Sequence, residues 1–156
     1  MSTPATSKTI DFGAHPQVPL MERFKTLYNT MSGQNLPALD GVYHSDIEFT
    51  DPLNSVQGLP SLREYMRECY HNVEACRFEF EPPVSAGSEV SVRWVMHLKH
   101  KKIKGGEEIT VDGCSHLRVE DDRIILHRDY FDLGQMLYEH LPILGSAIRW
   151  IRRQAA

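Results

Sequence analysis

The sequence predicts an α+β fold in which a sheet with one apolar face curves around helices. Three observations predict it. Up to about residue 70 the apolar residues recur with the 3.6-residue period of a helix. Beyond that point they alternate with the two-residue period of a strand. Runs of helices followed by runs of strands mark α+β rather than alternating α/β order, and 156 residues suffice for one domain with a real core.

The elements follow in order. Residues 1–18 read as a disordered leader, with no apolar stretch long enough for a secretory signal. "LMERFKTLYNTM" puts Phe24, Leu27, Tyr28 and Met31 on one helical face, and "SGQN" ends it. "LPALDGVY" is a second short helix, and "DIEFTDP" a brief strand stopped by Pro52. "GLPSLREYMRECYHNV" is the next helix, with Leu62, Tyr65, Met66 and Cys69 on its inner side. Strands then follow in "CRFEFEPPVSAG", "EVSVRWVMHLKH", "EEITVDGCSHLRV" and "RIILHRDYF", the middle two joined through the hairpin turn "KGGEE". The tail "LGQMLYEHLPILGSAIRWIRR" is helical, with interruptions expected at Pro142 and Gly145.

Composition narrows the function classes. A net charge of −4 with no basic stripe argues against a nucleic-acid partner. No run of about 18 apolar residues offers a membrane span. Cys69, Cys76 and Cys114 form no CxxC pair and read as reduced thiols of a cytoplasmic protein. The eight histidines lack metal-ligand spacing and there is no Gly-rich phosphate loop, so neither metal nor cofactor is expected.

Three stretches, "VYHSDIEFTDP", "GLPSLREYM" and "GCSHLRVEDDRIILHRDYFD", carry a resemblance to the SnoaL-like, or nuclear transport factor 2-like, superfamily. That superfamily includes ketosteroid isomerase, limonene-epoxide hydrolase and polyketide cyclases. With the element order, the resemblance covers about residues 20–135. It implies a cone-shaped, curved antiparallel sheet around N-terminal helices, an enclosed apolar pocket, and a homodimer. The expected organisation is a cone domain over 19–135 and a helical tail over 136–156, packing on the domain or on a dimer partner. Leu141, Ile143, Leu144 and Ile148 would then cap the mouth or cross the dimer.

Alternation alone does not say which side of the last strand faces the core. His127, Asp129 and Phe131 lie on one side, Arg128, Tyr130 and Asp132 on the other, and each side has one aromatic. The resemblance implies that Asp129, at the epoxide hydrolase's catalytic carboxylate, projects into the pocket with His127 and Phe131. The alternative is a plain ion pair between Asp129 and an arginine. Asp51 of "FTDP" matches the isomerase's general base by its place before a proline, although Asp-Pro also starts turns. Two carboxyls in an apolar cavity would titrate apart and supply an acid and a base.

The expected catalytic set is therefore Asp129, Asp51 and His127, with Tyr28, Phe49, Trp94, Met96, Ser115, Leu117 and Phe131 contacting ligand. Neither specific enzyme is fully reproduced. Ser115 lies near the isomerase's oxyanion acid, Tyr28 sits one residue from its tyrosine, and Arg93-Trp94-Val95 lacks the hydrolase's acid. The expected activity is cofactor-free acid/base chemistry on a hydrophobic carbonyl-, enol- or epoxide-bearing molecule. A non-enzymatic binding or interaction module is the rival.

Overall fold

The computed structural model describes residues 18–155. The leader expected over 1–18 lies outside the described residues except for Val18, which already opens a helix. The elements are α1 (Val18–Thr30), a 3-10 turn (Leu36–Gly41), β1 (Tyr43–Thr50), β2 (Ser55–Gln57), α2 (Leu59–Tyr70), β3 (Val73–Phe80) and β4 (Val84–Ala86). β5 (Glu89–His100), β6 (Glu108–Glu120), β7 (Arg123–Phe131), α3 (Leu133–Met136) and α4 (Pro142–Ala155) complete the order. Helices precede the long strands, as the change of period predicts.

The strands form one seven-stranded curved sheet, ordered β2-β1-β7-β6-β5-β3 with β4 beside β5, and it does not close into a barrel. β3, β5, β6 and β7 are antiparallel neighbours, but β1 lies parallel to β7 with Thr50 opposite Arg128. The sheet is therefore mixed at that seam. Periodicity cannot show this, because a strand's alternation is the same whichever way its neighbour runs.

One face of the sheet and the inner faces of α1 and α2 make the core. α1 contributes Leu20, Phe24, Leu27 and Tyr28, α2 contributes Leu62 and Met66, and the sheet contributes Ile47, Val90, Val92, Leu117 and Ile124. Each such burial is worth about 1.5–3 kcal/mol. Asn29 at the end of α1 clasps β3, donating to Phe78 O at 3.1 Å and accepting from Phe78 N at 2.7 Å. The opposite face of the sheet is charged: Arg118 pairs with Glu89 at 2.6 Å, and Arg93, 73% exposed at its side chain, pairs with Glu81 at 3.4 Å.

The tail docks by its polar side. Arg149 donates to Glu139 O at 2.8 Å, and Arg152 pairs with Asp132 and Glu139. Pro142 starts α4, but Gly145 lies inside it rather than interrupting it. A Cβ there would meet the Glu139 carbonyl, so the glycine permits a close approach. Ile143, Trp150 and Ile151 are exposed at 87%, 58% and 57%. Among the described residues of the single chain nothing covers this apolar stripe. No helix among the described residues is long and apolar enough to cross a membrane.

Candidate active site

Antiparallel pairing of β6 with β7 sets Ser115 opposite Asp129, while β5 with β6 sets Trp94 opposite Gly113. Gly113 has no side chain because the Trp94 indole lies across it; a Cβ would overlap the ring. The indole can therefore reach along β6, and its Nε1 donates to Ser115 Oγ at 2.9 Å. An indole N–H only donates, so the serine accepts there and turns its own hydrogen to Asp129 Oδ1, 2.5 Å away.

A second arm meets the same oxygen. His127 Nε2 lies 2.7 Å from Asp129 Oδ1, His127 Nδ1 lies 2.8 Å from Tyr43 Oη, and Tyr43 Oη lies 2.8 Å from Tyr28 Oη. One arrangement uses every hydroxyl hydrogen: Tyr28 donates to Tyr43, Tyr43 to Nδ1, and the Nε2–H to Asp129. Two directed arms thus fix Asp129 Oδ1, and among the described residues no side chain or backbone donor holds Oδ2. Burial, foremost, raises the Tyr28 and Tyr43 hydroxyl pKa values well above the ordinary range, so both remain proton carriers rather than phenolates.

Asp51 stands beside this group, one residue beyond the Thr50–Arg128 pair of the β1–β7 seam. Its Oδ1 accepts from Leu53 N at 2.7 Å and Asn54 N at 2.9 Å, closing the Asp-Pro turn. Its Oδ2 accepts from Tyr65 Oη at 2.6 Å. Burial and then this carboxylate raise the Tyr65 pKa, so its hydroxyl stays protonated. Both Asp51 oxygens are occupied. It is a turn cap as well as a cavity wall.

A cavity of about 280 Å³ lies between the sheet, α2 and α3, bordered by Asp51 and Asp129. Of the sequence-expected residues, Tyr28, Phe49, Trp94, Met96 and Phe131 also border it. Ser115 and His127 do not; they hold Asp129 from behind, and the His127 side chain is wholly buried. Leu117 packs in the main core away from the cavity. The Asp129 side chain is 12% exposed.

Sequence reasoning gave no role to Tyr43, Tyr65, Tyr70, Phe78, Cys69 or Cys76. Tyr65 and Cys69 were legible as the inner side of α2, but a cavity and a core look alike in a helical pattern. Tyr43 carried no signal, since its partner His127 is 84 positions away. Burial, foremost, raises both cavity thiols, Cys76 to about 11, which disfavours the nucleophilic thiolate. Among the described residues no group of three or more His, Cys, Asp or Glu could hold a metal ion.

A family model described as the SnoaL-like domain matches residues 24–127. The chain belongs to that family. Among solved structures, this SnoaL-like chain is similar to a Catenulispora acidiphila protein of ketosteroid isomerase-like fold, in complex with trimethylamine. The TM-score is 0.68 at 16% identity, covering 81% of this chain and 93% of that one. It is similar to a candidate SnoaL-like polyketide cyclase from Jannaschia sp., with TM-score 0.65, 15% identity, and 77% and 90% coverage. It is also similar to an LEH-like epoxide hydrolase of M. tuberculosis, with TM-score 0.62, 18% identity, and 76% and 80% coverage. No curated protein matches the chain. At such identities the likeness to these structures is one of fold, which hosts many chemistries.

Proposed function

We propose that the cavity is the active site of a small cofactor-independent enzyme of the cytoplasm. It acts as a homodimer on a hydrophobic molecule bearing a carbonyl, enol or epoxide. Asp129 is its general base and acid. One observation carries this reading: both protein donors converge on Asp129 Oδ1, leaving Oδ2 for a ligand in an apolar cavity. Oδ2 takes the proton from a carbon beside the ligand's carbonyl and returns it at the same or a conjugated position. His127 and Ser115 hold the carboxylate in place, so no reorientation is needed during transfer. The Tyr65 hydroxyl borders the same cavity, but its one hydrogen is given to Asp51 Oδ2, so it shapes the wall rather than meeting charge on the ligand.

The neighbouring polyketide cyclase candidate and epoxide hydrolase support a reaction of this class. The binding-module reading is favoured by one observation, that Asp51 is consumed as a turn cap, so the expected Asp51–Asp129 acid/base pair has only one carboxyl free. The two readings separate in heavy water. With 2-tetralone as probe, the wild type should speed exchange of the hydrogens beside the carbonyl, followed by NMR, and Asp129→Asn should lose at least about 100-fold of that rate. Equal binding of the ketone to both proteins, with exchange at the buffer rate in both, would leave only the binding module.

A further inference from the structure

The cavity's charge is one-sided. Asp51, Glu68 and Asp129 border it, and no lysine or arginine does. Asp129 forms an ion-pair contact only with His127 among the described residues, and the hydrogen-bond arrangement above uses that imidazole in its neutral form. Asp51 has no cationic partner within 4 Å among the described residues, its donors being two amides and a phenol. Arg128, adjacent in sequence to Asp129, borders a neighbouring recess that Asp51 and Asp129 also border, but lies over the Tyr130 ring at 5.1 Å and forms no ion pair with either carboxylate within 4 Å. The Asp129 carboxylate, 12% exposed and with no lysine or arginine within 4 Å among the described residues, gains from a positively charged ligand.

The rest of the wall is aromatic. Phe78 meets Trp94 edge to face at 5.4 Å between ring centres, Trp94 meets Phe131 at 6.2 Å, and Phe49 meets Tyr65 at 5.8 Å. Ring faces attract cations through their quadrupole, most strongly where water is excluded. Carboxylates together with ring faces, and no lysine or arginine, repel anions and favour cations; the His100 imidazole on the same wall has its pKa lowered, by burial first and then by Lys102, which favours its neutral form. Among cations, alkylammonium ions shed water more easily than a primary ammonium, so an apolar wall penalises them least.

We infer that this cavity binds a small tertiary or quaternary alkylammonium group, seated against Trp94 and Phe131 with Asp129 Oδ2 as its counter-charge. The inference concerns what the cavity holds and stands whether or not Asp129 moves a proton.

Choline and its uncharged isostere 3,3-dimethylbutan-1-ol differ at the central atom and its charge, which makes them the test. Titrated into the full chain by calorimetry, choline should bind at least about tenfold tighter than the alcohol, and ethanolamine more weakly than choline. Asp129→Asn should lose about tenfold for choline and leave the alcohol unchanged. Phe131→Leu should weaken choline more than the alcohol. Circular dichroism and thermal melting of each variant separate lost binding from lost fold. Alcohol binding as tight as choline, choline binding indifferent to Asp129→Asn, or no choline binding at all would each overturn the inference. None of these outcomes touches the exchange of 2-tetralone, so the two readings fail separately.

Discussion

Gly113 does more for the site than its lack of a side chain suggests. Its bare backbone lets the Trp94 indole cross β6 to Ser115, and Ser115 then fixes Asp129. Gly113→Ala should drive the ring away, costing about 1–3 kcal/mol of stability and shifting the emission of the buried tryptophan. Denaturant melts and fluorescence read both, and an unshifted spectrum would show that the ring does not depend on the glycine. Little of this was legible in the sequence. Alternation put Gly113 and Ser115 on one face, yet nothing local says that an indole fills the gap at 113. Asp129 was named through family likeness because each side of its strand carries the same mix of residue types. Leu117 shares the alternation of the site residues but falls deeper along β6, in the closed core.

Elements were more legible than residues. α1, α2, β5 and β6 appear where the period predicts, since each presents a continuous apolar side to the buried clusters, and β7 appears between the turn and the tail although its sides are mixed. The seam of β1 with β7 was not legible, because pairing between distant segments leaves no mark within either one. The charge run before the tail resolves into separate tasks. Asp132 caps α3, accepting from Gln135 N at 3.2 Å, and pairs with Arg152 of α4, while Arg128 stacks on Tyr130. Burial raises the Asp132 pKa, but the amides and Arg152 together outweigh it and lower the net value. In α4 the arginines Arg149 and Arg152, themselves exposed, make the contacts to neighbouring segments, while the apolar stripe of Ile143, Trp150 and Ile151 faces outward. Ile143→Glu with Ile151→Glu should therefore change the melting free energy of the single chain by no more than about 0.5 kcal/mol. A large loss of stability that grows with protein dilution would instead place these residues in an interface between copies.

At the scale of the whole molecule, the buried thiols and phenols set an alkaline limit. The Cys76 thiol ionises at about 9.0 when free and about 11 in the fold, burial being the cause. Below 9.0 both states keep the proton; between the two values only the unfolded chain loses it, so stability falls as pH rises. Tyr28, Tyr43 and Tyr70 add the same sign above 10.0. Thermal melts should hold steady near neutrality and drop progressively from about pH 9 upward, less steeply in Cys76→Val. A flat profile to pH 11 would contradict burial of these groups. The parallel seam has a different consequence, one of timing during synthesis. Tyr43 meets His127 across 84 positions, and β1, paired on one edge with the adjacent β2, finds the partner for its other edge only in β7. As the ribosome extends the chain, the helices and the β3–β5 pair have their partners early, while β1 waits with an unpaired edge. The His127 ring gains its Tyr43 partner only when this long loop closes, so a nascent chain stalled before β7 holds much of the cavity wall but lacks Asp129 and the histidine beside it.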